Sequence, residues 1–592
     1  MKKWIALTAI FSMIVAFVLV VPGSVSAATS IYVSTSGNDT TGNGTIGNPY
    51  KTIQKGVDMA SAGDTVYVRG GTYTGAVLVN GKNGTAVNPI TIRNYPSETP
   101  IISGSSAYVK FRFSSYFVFQ GFELTGGDSS ESGMIMLKPA DHITIDGNYL
   151  HDTNATDANI HVYNSSYNTI SNNTSNHGPA GIQVSGDSET SYNTVINNYT
   201  AFNDHNFGNS DGIQIVSTAE GDPVHHNIIM NNIAESNYDD GIDVFCSAYN
   251  LVYGNISFDN GLHYPPNDPG NGVGFKLGGA SSVASDGGMN LVTSNIAYNN
   301  SEAGFSNNGS VRTNYVFNNT SYSNKNGFET FNPDGGGTND GHTEYRNNIA
   351  YNNSSLQYMQ ETGKATYNND FNSSGTPVDP LFVNAAGADF RLSTSSTALD
   401  YGDPTTTSHI PSGFVSGVES FYEDAVEYAL THDLDGTIRT AYDAGAFESS
   451  ANLLSNPGFE NSSTGWHIGN NSAAVVNSIV HSGTKALKLK TSAAYIDQNK
   501  TSGFSVGNTL SAKVWYRYSA STTNPGFLGI DFRNASDALI SSGTVTLPST
   551  TTYKSKTLDL VIPANTVRIT IYVQKSSSSQ SLYVDDFTLY EH

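Results

Sequence analysis

Asn168-Thr-Ile-Ser-Asn-Asn opens a phrase that the chain then repeats. It returns as Asn193-Thr-Val-Ile-Asn-Asn, Asn227-Ile-Ile-Met-Asn-Asn, Asn250-Leu-Val-Tyr-Gly-Asn, Asn290-Leu-Val-Thr-Ser-Asn and Asn314-Tyr-Val-Phe-Asn-Asn. The steps between copies are 25, 34, 23, 40 and 24 residues, so the shortest set the period and the longer ones carry loop insertions. A second phrase alternates with the first: Gly181-Ile-Gln-Val, Gly212-Ile-Gln-Ile, Gly241-Ile-Asp-Val, Gly274-Phe-Lys-Leu, Gly304-Phe-Ser-Asn and Gly327-Phe-Glu-Thr. Short strands with period-2 alternation, turn residues between them and a period near 23 residues indicate a solenoid. Helical repeats are excluded, because this region lacks a sustained 3.6-residue period. Parallel stacking of about three strands per turn, ~4.8 Å apart, puts equivalent residues in columns, and asparagines at the bends then form amide ladders. The expected fold is all-β, a right-handed parallel β-helix, the hand being that of parallel crossovers generally.

Outward from this region, Tyr50-Lys-Thr-Ile-Gln-Lys-Gly-Val-Asp-Met-Ala places Ile53, Val57 and Ala60 at helical spacing, which predicts a short N-terminal cap helix before the strand Thr65-Val-Tyr-Val. Asp379-Pro-Leu-Phe-Val and Phe390-Arg-Leu read as final coils, and the stretch from Asp433 to Glu448 closes the domain near residue 450. From Asn452 the Asn phrase is lost. Longer alternating strands such as Ala512-Lys-Val-Trp-Tyr-Arg-Tyr take over, predicting an antiparallel β-sandwich. Residues 1–27 read as a signal peptide: Lys2 and Lys3, an apolar run, then Val25-Ser26-Ala27. The expected organisation is 1–27 signal peptide, 28–450 β-helix and 451–592 sandwich.

The 592 residues carry a net charge of −23 with only 13% charged residues, which excludes broad electrostatic binding of nucleic acid. No later stretch approaches the ~20 apolar residues of a membrane span. The expectation is therefore a secreted, extracellular, monomeric protein. The single cysteine, Cys246, has no internal partner and reads as interior packing. If the partner is itself anionic, something other than the protein's own charge must bridge the two.

Aligning the glycine phrases gives columns. The third position reads Gln183, Gln214, Asp243, Lys276, Ser306 and Glu329, and the position before the glycine includes Asp211 and Asp240 on consecutive coils. Asp239 adds a fourth carboxylate. Strict alternation separates Asp240 from Asp239 and Asp243, and a bend at Gly241 is the expected means of bringing them together. Four converging carboxylates repel unless a hard, oxygen-preferring cation such as Ca2+ joins them. The alternative is that they are turn residues on a solvated face. Lys276 beside such a cation loses proton affinity and can act as a general base, the alternative being a salt bridge to Asp243.

Asn209-Ser-Asp-Gly-Ile-Gln-Ile, Asn237-Tyr-Asp-Asp-Gly-Ile-Asp-Val and Gly272-Val-Gly-Phe-Lys-Leu-Gly-Gly resemble the core of the family 9 polysaccharide lyases, best known as pectate lyases. The resemblance covers roughly residues 29 to 450. It implies that Asp211, Asp239, Asp240 and Asp243 are calcium ligands and that Lys276 is the Brønsted base. It also implies β-elimination on an acidic plant cell-wall polysaccharide, polygalacturonate or a related pectin such as rhamnogalacturonan. Cations such as Lys325, Arg312 and Arg346 are candidates for gripping further uronates, though each also reads as surface charge.

Two rival readings differ in kind. An inverting pectin hydrolase shares Asn-x-Asp-Gly and Asp-Asp, but its following coil carries Gly-His-Gly where this chain has Gly-Phe-Lys. The other rival is a non-catalytic glycan-binding β-helix with a structural ion. The C-terminal stretches Asn452 to Glu460, His481-Ser-Gly-Thr-Lys-Ala-Leu and Val584-Asp-Asp-Phe resemble carbohydrate-binding modules of the jelly-roll type. That resemblance implies a structural calcium, with Glu460 and Asp585 or Asp586 as candidate ligands. Trp515, Tyr516, Tyr518 and Phe532 are candidates for a sugar-stacking platform or for aromatic core.

Overall fold

The computed structural model describes residues 28–592 except 205–209, 219–222, 263–269, 280–286, 331–341, 361–362, 394, 404, 438, 440–441, 449–452, 460, 470–472, 482–483, 491–492, 503, 576–579 and 592. The expected signal peptide, residues 1–27, lies outside the described residues. Backbone contacts divide the chain into two compact units. One comprises Met1–Asn368, Asn372–Val378 and His409–Ala429; the other comprises Asn369–Phe371, Asp379–Ser408 and Leu430–His592.

The first unit is a parallel solenoid of three sheets, with 13, 11 and 11 strands among the described residues. One coil shows the rule. Thr169–Ser171 lies in the first sheet, Thr174–Asn176 in the second and Ile182–Gly186 in the third, and each pairs in parallel with its equivalent on the next coil. Inward residues form the core, among them Ile170, Val195, Ile229, Val252 and Val292 of the first sheet. In the third sheet Phe275, Phe305, Phe328 and Tyr358 stack ring on ring at centroid spacings of 4.8, 4.8 and 5.0 Å. That spacing is the strand-to-strand step itself.

The Asn phrase is explained position by position. Its first asparagine forms a buried ladder, each side-chain amide donating to the next at 3.0–3.1 Å from Asn168 through Asn193, Asn227, Asn250 and Asn290 to Asn314. Its last asparagine forms a second ladder from Asn148 through Asn173, Asn198, Asn232, Asn255, Asn295 and Asn319 to Asn348. The fifth position turns the corner between sheets in the left-handed region: Asn172, Asn197, Asn231, Asn318 and Asn347 have φ between 54° and 57°. Asparagine and glycine tolerate that conformation best, which is why Gly254 replaces Asn in one copy. A third ladder runs through Asn203, Asn237, Asn260, Asn300, Asn324 and Asn353.

The N-terminal cap is the helix Ile53–Met59, opened by Thr52, whose hydroxyl accepts from Lys55 N at 3.2 Å. Ile53, Val57 and Ala60 are buried, as the spacing predicts. Two features depart from the sequence reading. Phe382–Asn384 and Asp389–Leu392 are not coils but an antiparallel hairpin in the second unit. Asn384 caps the 3-10 turn Ala385–Gly387 and Ala388 takes a left-handed φ of 59°, which reverses the chain. A twelve-residue helix, Ser420–Thr431, was not anticipated. Its Tyr422 hydroxyl donates to Tyr249 O, and its ring meets that of His226 edge-on.

The second unit contains an antiparallel sandwich of two five-stranded sheets. Leu510, Ala512, Val514, Tyr516 and Tyr518 alternate inward along Thr509–Tyr518 and meet Leu528, Ile530 and Phe532 in one core.

Candidate functional site

The site lies on the outer face of the third sheet, where Ile213–Ser217, Ile242–Phe245 and Phe275–Gly278 stack in register. Register places Gln214, Asp243 and Lys276 in one column, as the aligned phrases predict. Asp211 and Asp240 precede these strands as vertical neighbours. Asp240 N donates to Asp211 Oδ1 at 2.7 Å, and Val273 N donates to Asp240 Oδ1 at 2.9 Å. Asp239 accepts from Asn271 N.

The glycines are needed here for a different reason than the one expected. Gly212, Gly241 and Gly274 do not take left-handed φ values. Instead the coils approach so closely that a Cβ on Gly212 would stand 2.6 Å from Gly241 O, and one on Gly241 would stand 2.8 Å from Gly274 O. Close backbone contact at the corner, rather than conformational freedom, is what requires glycine beside Asp211 and Asp240.

One carboxylate oxygen from each of Asp211, Asp239 and Asp240 lies within 4.8 Å of the others, and all three residues are buried. Asp243 stands beside this trio and faces Lys276. The Lys276 ammonium donates to Asp240 Oδ2 at 2.8 Å and lies 3.3 Å from Asp243 Oδ2. The ion pair expected as the alternative role of Lys276 is thus present, but its shorter arm goes to Asp240. Gln214, which the sequence reading did not use, donates its amide to Asp211 Oδ2 and accepts from Gln183 Nε2 at 2.6 Å. Its place in the same column as Asp243 and Lys276 was the available signal.

The electrostatics follow from burial. Four carboxylates face one amine, so the group carries excess negative charge. Burial raises the Asp211 carboxyl well above its usual range, and Asp240, Asp239 and Asp243 push it further. Burial and then Asp240 raise Asp239 to about 7. Burial also raises Asp243, to about 6, against the opposing pull of Lys276. Burial works to lower the Lys276 pKa, but Asp243, Asp240 and Asp211 together raise it.

A divalent cation fits this donor set. The donors are hard oxygens, three of them already convergent, and the buried Asp243 Oδ1 has no hydrogen-bond partner. A charged oxygen left in this way costs free energy until a cation or proton meets it.

The other candidate residues are placed differently. Lys325 pairs with Glu302 at 2.7 Å and Arg346 with Glu344 at 2.6 Å, while Arg312 sits half-buried in the turn before Asn314–Phe317. Cys246 is buried and its thiol donates to Gly279 O. In the sandwich Tyr516, Tyr518 and Phe532 are core, and only Trp515 faces outward, its ring stacked on His481 at 3.9 Å. Asp585 accepts from His481 N and Asp586 from the His481 ring, while Glu460 lies outside the described residues.

Fold and site together define a right-handed parallel β-helix protein with an acidic cluster and an amine on one outer strand column. Residues 31–348 match the family described as "Pel9A-like, right handed beta helix region", and the chain belongs to that family. This is the polysaccharide lyase family that the site residues resemble. Pectate lyase PEL9 of Emericella nidulans is 29% identical over 336 residues, covering 50% of this chain and 74% of that protein. Pectate lyase L of Dickeya chrysanthemi is 29% identical over 397 residues, covering 63% and 85%. The crystal structure of pectate lyase Pel9A overlaps 72% of this chain and 97% of its own, at 22% identity and a TM-score of 0.46. Among the described residues no helix is long and apolar enough to cross a membrane.

Proposed function

We propose that this chain is a calcium-dependent pectate lyase that cleaves polygalacturonate by β-elimination, with Asp211, Asp239, Asp240 and Asp243 as metal ligands and Lys276 as the base. The observation that carries the reading is the 2.8 Å contact of the Lys276 amine with a carboxylate of the convergent trio, which sets a base directly beside a cation site. Calcium held by these carboxylates would take up their charge, release the hold they exert on the Lys276 proton, and stabilise negative charge developing on the substrate's C6 carboxylate.

In a uronate the C5 proton lies α to that carboxylate. Neutral Lys276 Nζ takes the C5 proton, and the C5–H electrons form the C4=C5 double bond. The C4–O4 bond breaks, and O4 departs with its electron pair and is protonated by water. Gln214 and the Asn271 and Val273 amides hold the carboxylates in place, so the base keeps its position relative to them. The family and the pectate lyases named above favour this substrate over a glycan-binding role. Inverting hydrolysis needs two carboxylates ~6.5–9.5 Å apart with room for water, and a trio within 4.8 Å does not offer that arrangement.

In the same reading residues 1–27 direct export, 28–450 are the catalytic domain and 451–592 are a carbohydrate-binding module. The protein then works as an extracellular monomer. The test is ultraviolet absorbance of the unsaturated product from polygalacturonate, with calcium, with chelator and with Lys276→Ala. A signal that needs both calcium and Lys276 supports the mechanism; reducing ends without absorbance refute it.

A further inference from the structure

Several cations on this acidic chain are matched by carboxylates, as Arg69 is by Glu98 at 2.6 Å, Arg391 by Asp389 at 2.6 Å and Lys325 by Glu302 at 2.7 Å. Arg112 and Lys138 are not. Both are exposed, and neither has a carboxylate partner among the described residues. Together with Lys110, Pro139, Tyr163 and Asn164 they line a cavity of about 400 Å3. Lys110 is tied to Glu131 at 2.6 Å, so the charge offered to a ligand is that of Arg112 and Lys138. Aromatic rings orient both: the Lys138 amine lies 4.7 Å from the Tyr163 ring centre, and the Arg112 guanidinium 4.9 Å from that of Phe113.

The position of this cavity is set by the solenoid. Along Val109–Arg112, Val109 and Phe111 point into the core, so Lys110 and Arg112 point out. Lys110 stacks in register with Met136, His161, Gln183, Gln214, Asp243 and finally Lys276. The basic cavity and the acidic site therefore share one sheet face, six strand steps or about 29 Å apart.

Resting on the reading that the substrate is an acidic polysaccharide, we infer that this cavity is a distal subsite that binds carboxylates of the same uronate chain. An extended pyranose unit is about as long as one strand step, so a chain laid along the sheet reaches the cavity about six residues from the cleaved bond. The subsite gives long polymers an advantage that short oligomers cannot use, through the same effective-concentration argument that governs tethered binding.

The experiment compares wild type with the Arg112→Ala, Lys138→Ala double variant in two assays. In the first, kcat/KM is measured on polygalacturonate and on trigalacturonate. The ratio of polymer to trimer falls about five- to tenfold in the variant, and raising salt lowers the wild-type ratio in the same direction. An unchanged ratio, or a trimer loss that matches the polymer loss, overturns the inference. The second assay is native electrophoresis through a gel containing polygalacturonate with chelator, where the calcium site cannot contribute. Wild type is retarded and the variant migrates faster relative to a polymer-free gel; equal retardation overturns the inference. Retardation lost in the variant of a protein with no lyase activity leaves the subsite standing and removes the proposed reaction. Lyase activity with an unchanged ratio does the reverse.

Discussion

Removing the ion from the proposed site should make the protein increasingly unstable as pH rises, and one substitution should cure this. Asp239 carries the argument, since its carboxyl is raised from 3.8 to about 7 by burial and by Asp240. In the folded, metal-free protein Asp239 therefore holds a proton that the unfolded chain releases above pH ~4. Folding takes up a proton in this window, so stability falls as pH climbs from ~4 to ~7 and levels off above that. A shift of about 3 units corresponds to about 4 kcal/mol. Because Asp211 and Asp243 share the repulsion, we expect about 2–4 kcal/mol.

Asp239→Asn removes the titration and keeps an oxygen for Asn271 N. Urea unfolding in chelator at pH 5 and pH 8 is the assay. The wild type loses stability between the two, and the variant loses less and is the more stable protein at pH 8. Adding calcium at pH 8 stabilises the wild type by mass action and leaves the variant nearly unmoved. A variant less stable than wild type at pH 8 in chelator would refute the electrostatic account of the site.

Other substitutions probe separate parts of the structure. Lys276→Ala lowers kcat on polygalacturonate by about 10²–10⁴ without lowering the urea midpoint in calcium, read by initial rates and by denaturation. Asn232→Ala leaves Val195 O and Asn198 N without their side-chain partner inside the coil stack, which costs about 3–5 kcal/mol in urea unfolding. Asn231→Gly, at the neighbouring left-handed corner, stays within about 0.5 kcal/mol by the same measurement. Gly241→Ala pushes a methyl group against Gly274 O and the Ser257 side chain, so both unfolding midpoint and calcium-dependent activity fall.

Repetition made the solenoid legible. Asn168 and Asn173 head two ladders, and a strict phrase is what columns of stacked amides require. The third ladder was equally present in the sequence: Asn203, Asn237, Asn260, Asn300, Asn324 and Asn353 each follow the second ladder by five residues. It lies just beyond the repeated Asn phrase. The helix Ser420–Thr431 buries Tyr422, Val426 and Ala429, a helical spacing hidden within a segment otherwise rich in turns. Asp243 aligns with Lys276 because register in a parallel stack is fixed by one buried face. The role of Gly241 was not legible, because close approach between coils is a property of packing and leaves no local mark distinct from a turn. Arg112 and Lys138 lie far from the site in sequence, and only the strand register places them on the site's own sheet.

The ladders also separate two rates of change. The widest steps of the Asn phrase, 34 and 40 residues, fall on the coils that carry Asp211 and Lys276, yet the amides that bridge them, Asn193 to Asn227 and Asn250 to Asn290, still meet at 3.0 Å. Extra chain can thus be spliced beside the reactive groups while the scaffold's bonds keep their lengths. A loop lengthened there changes the surroundings of the reactive groups alone, whereas breaking one stacked amide costs the scaffold a buried hydrogen bond.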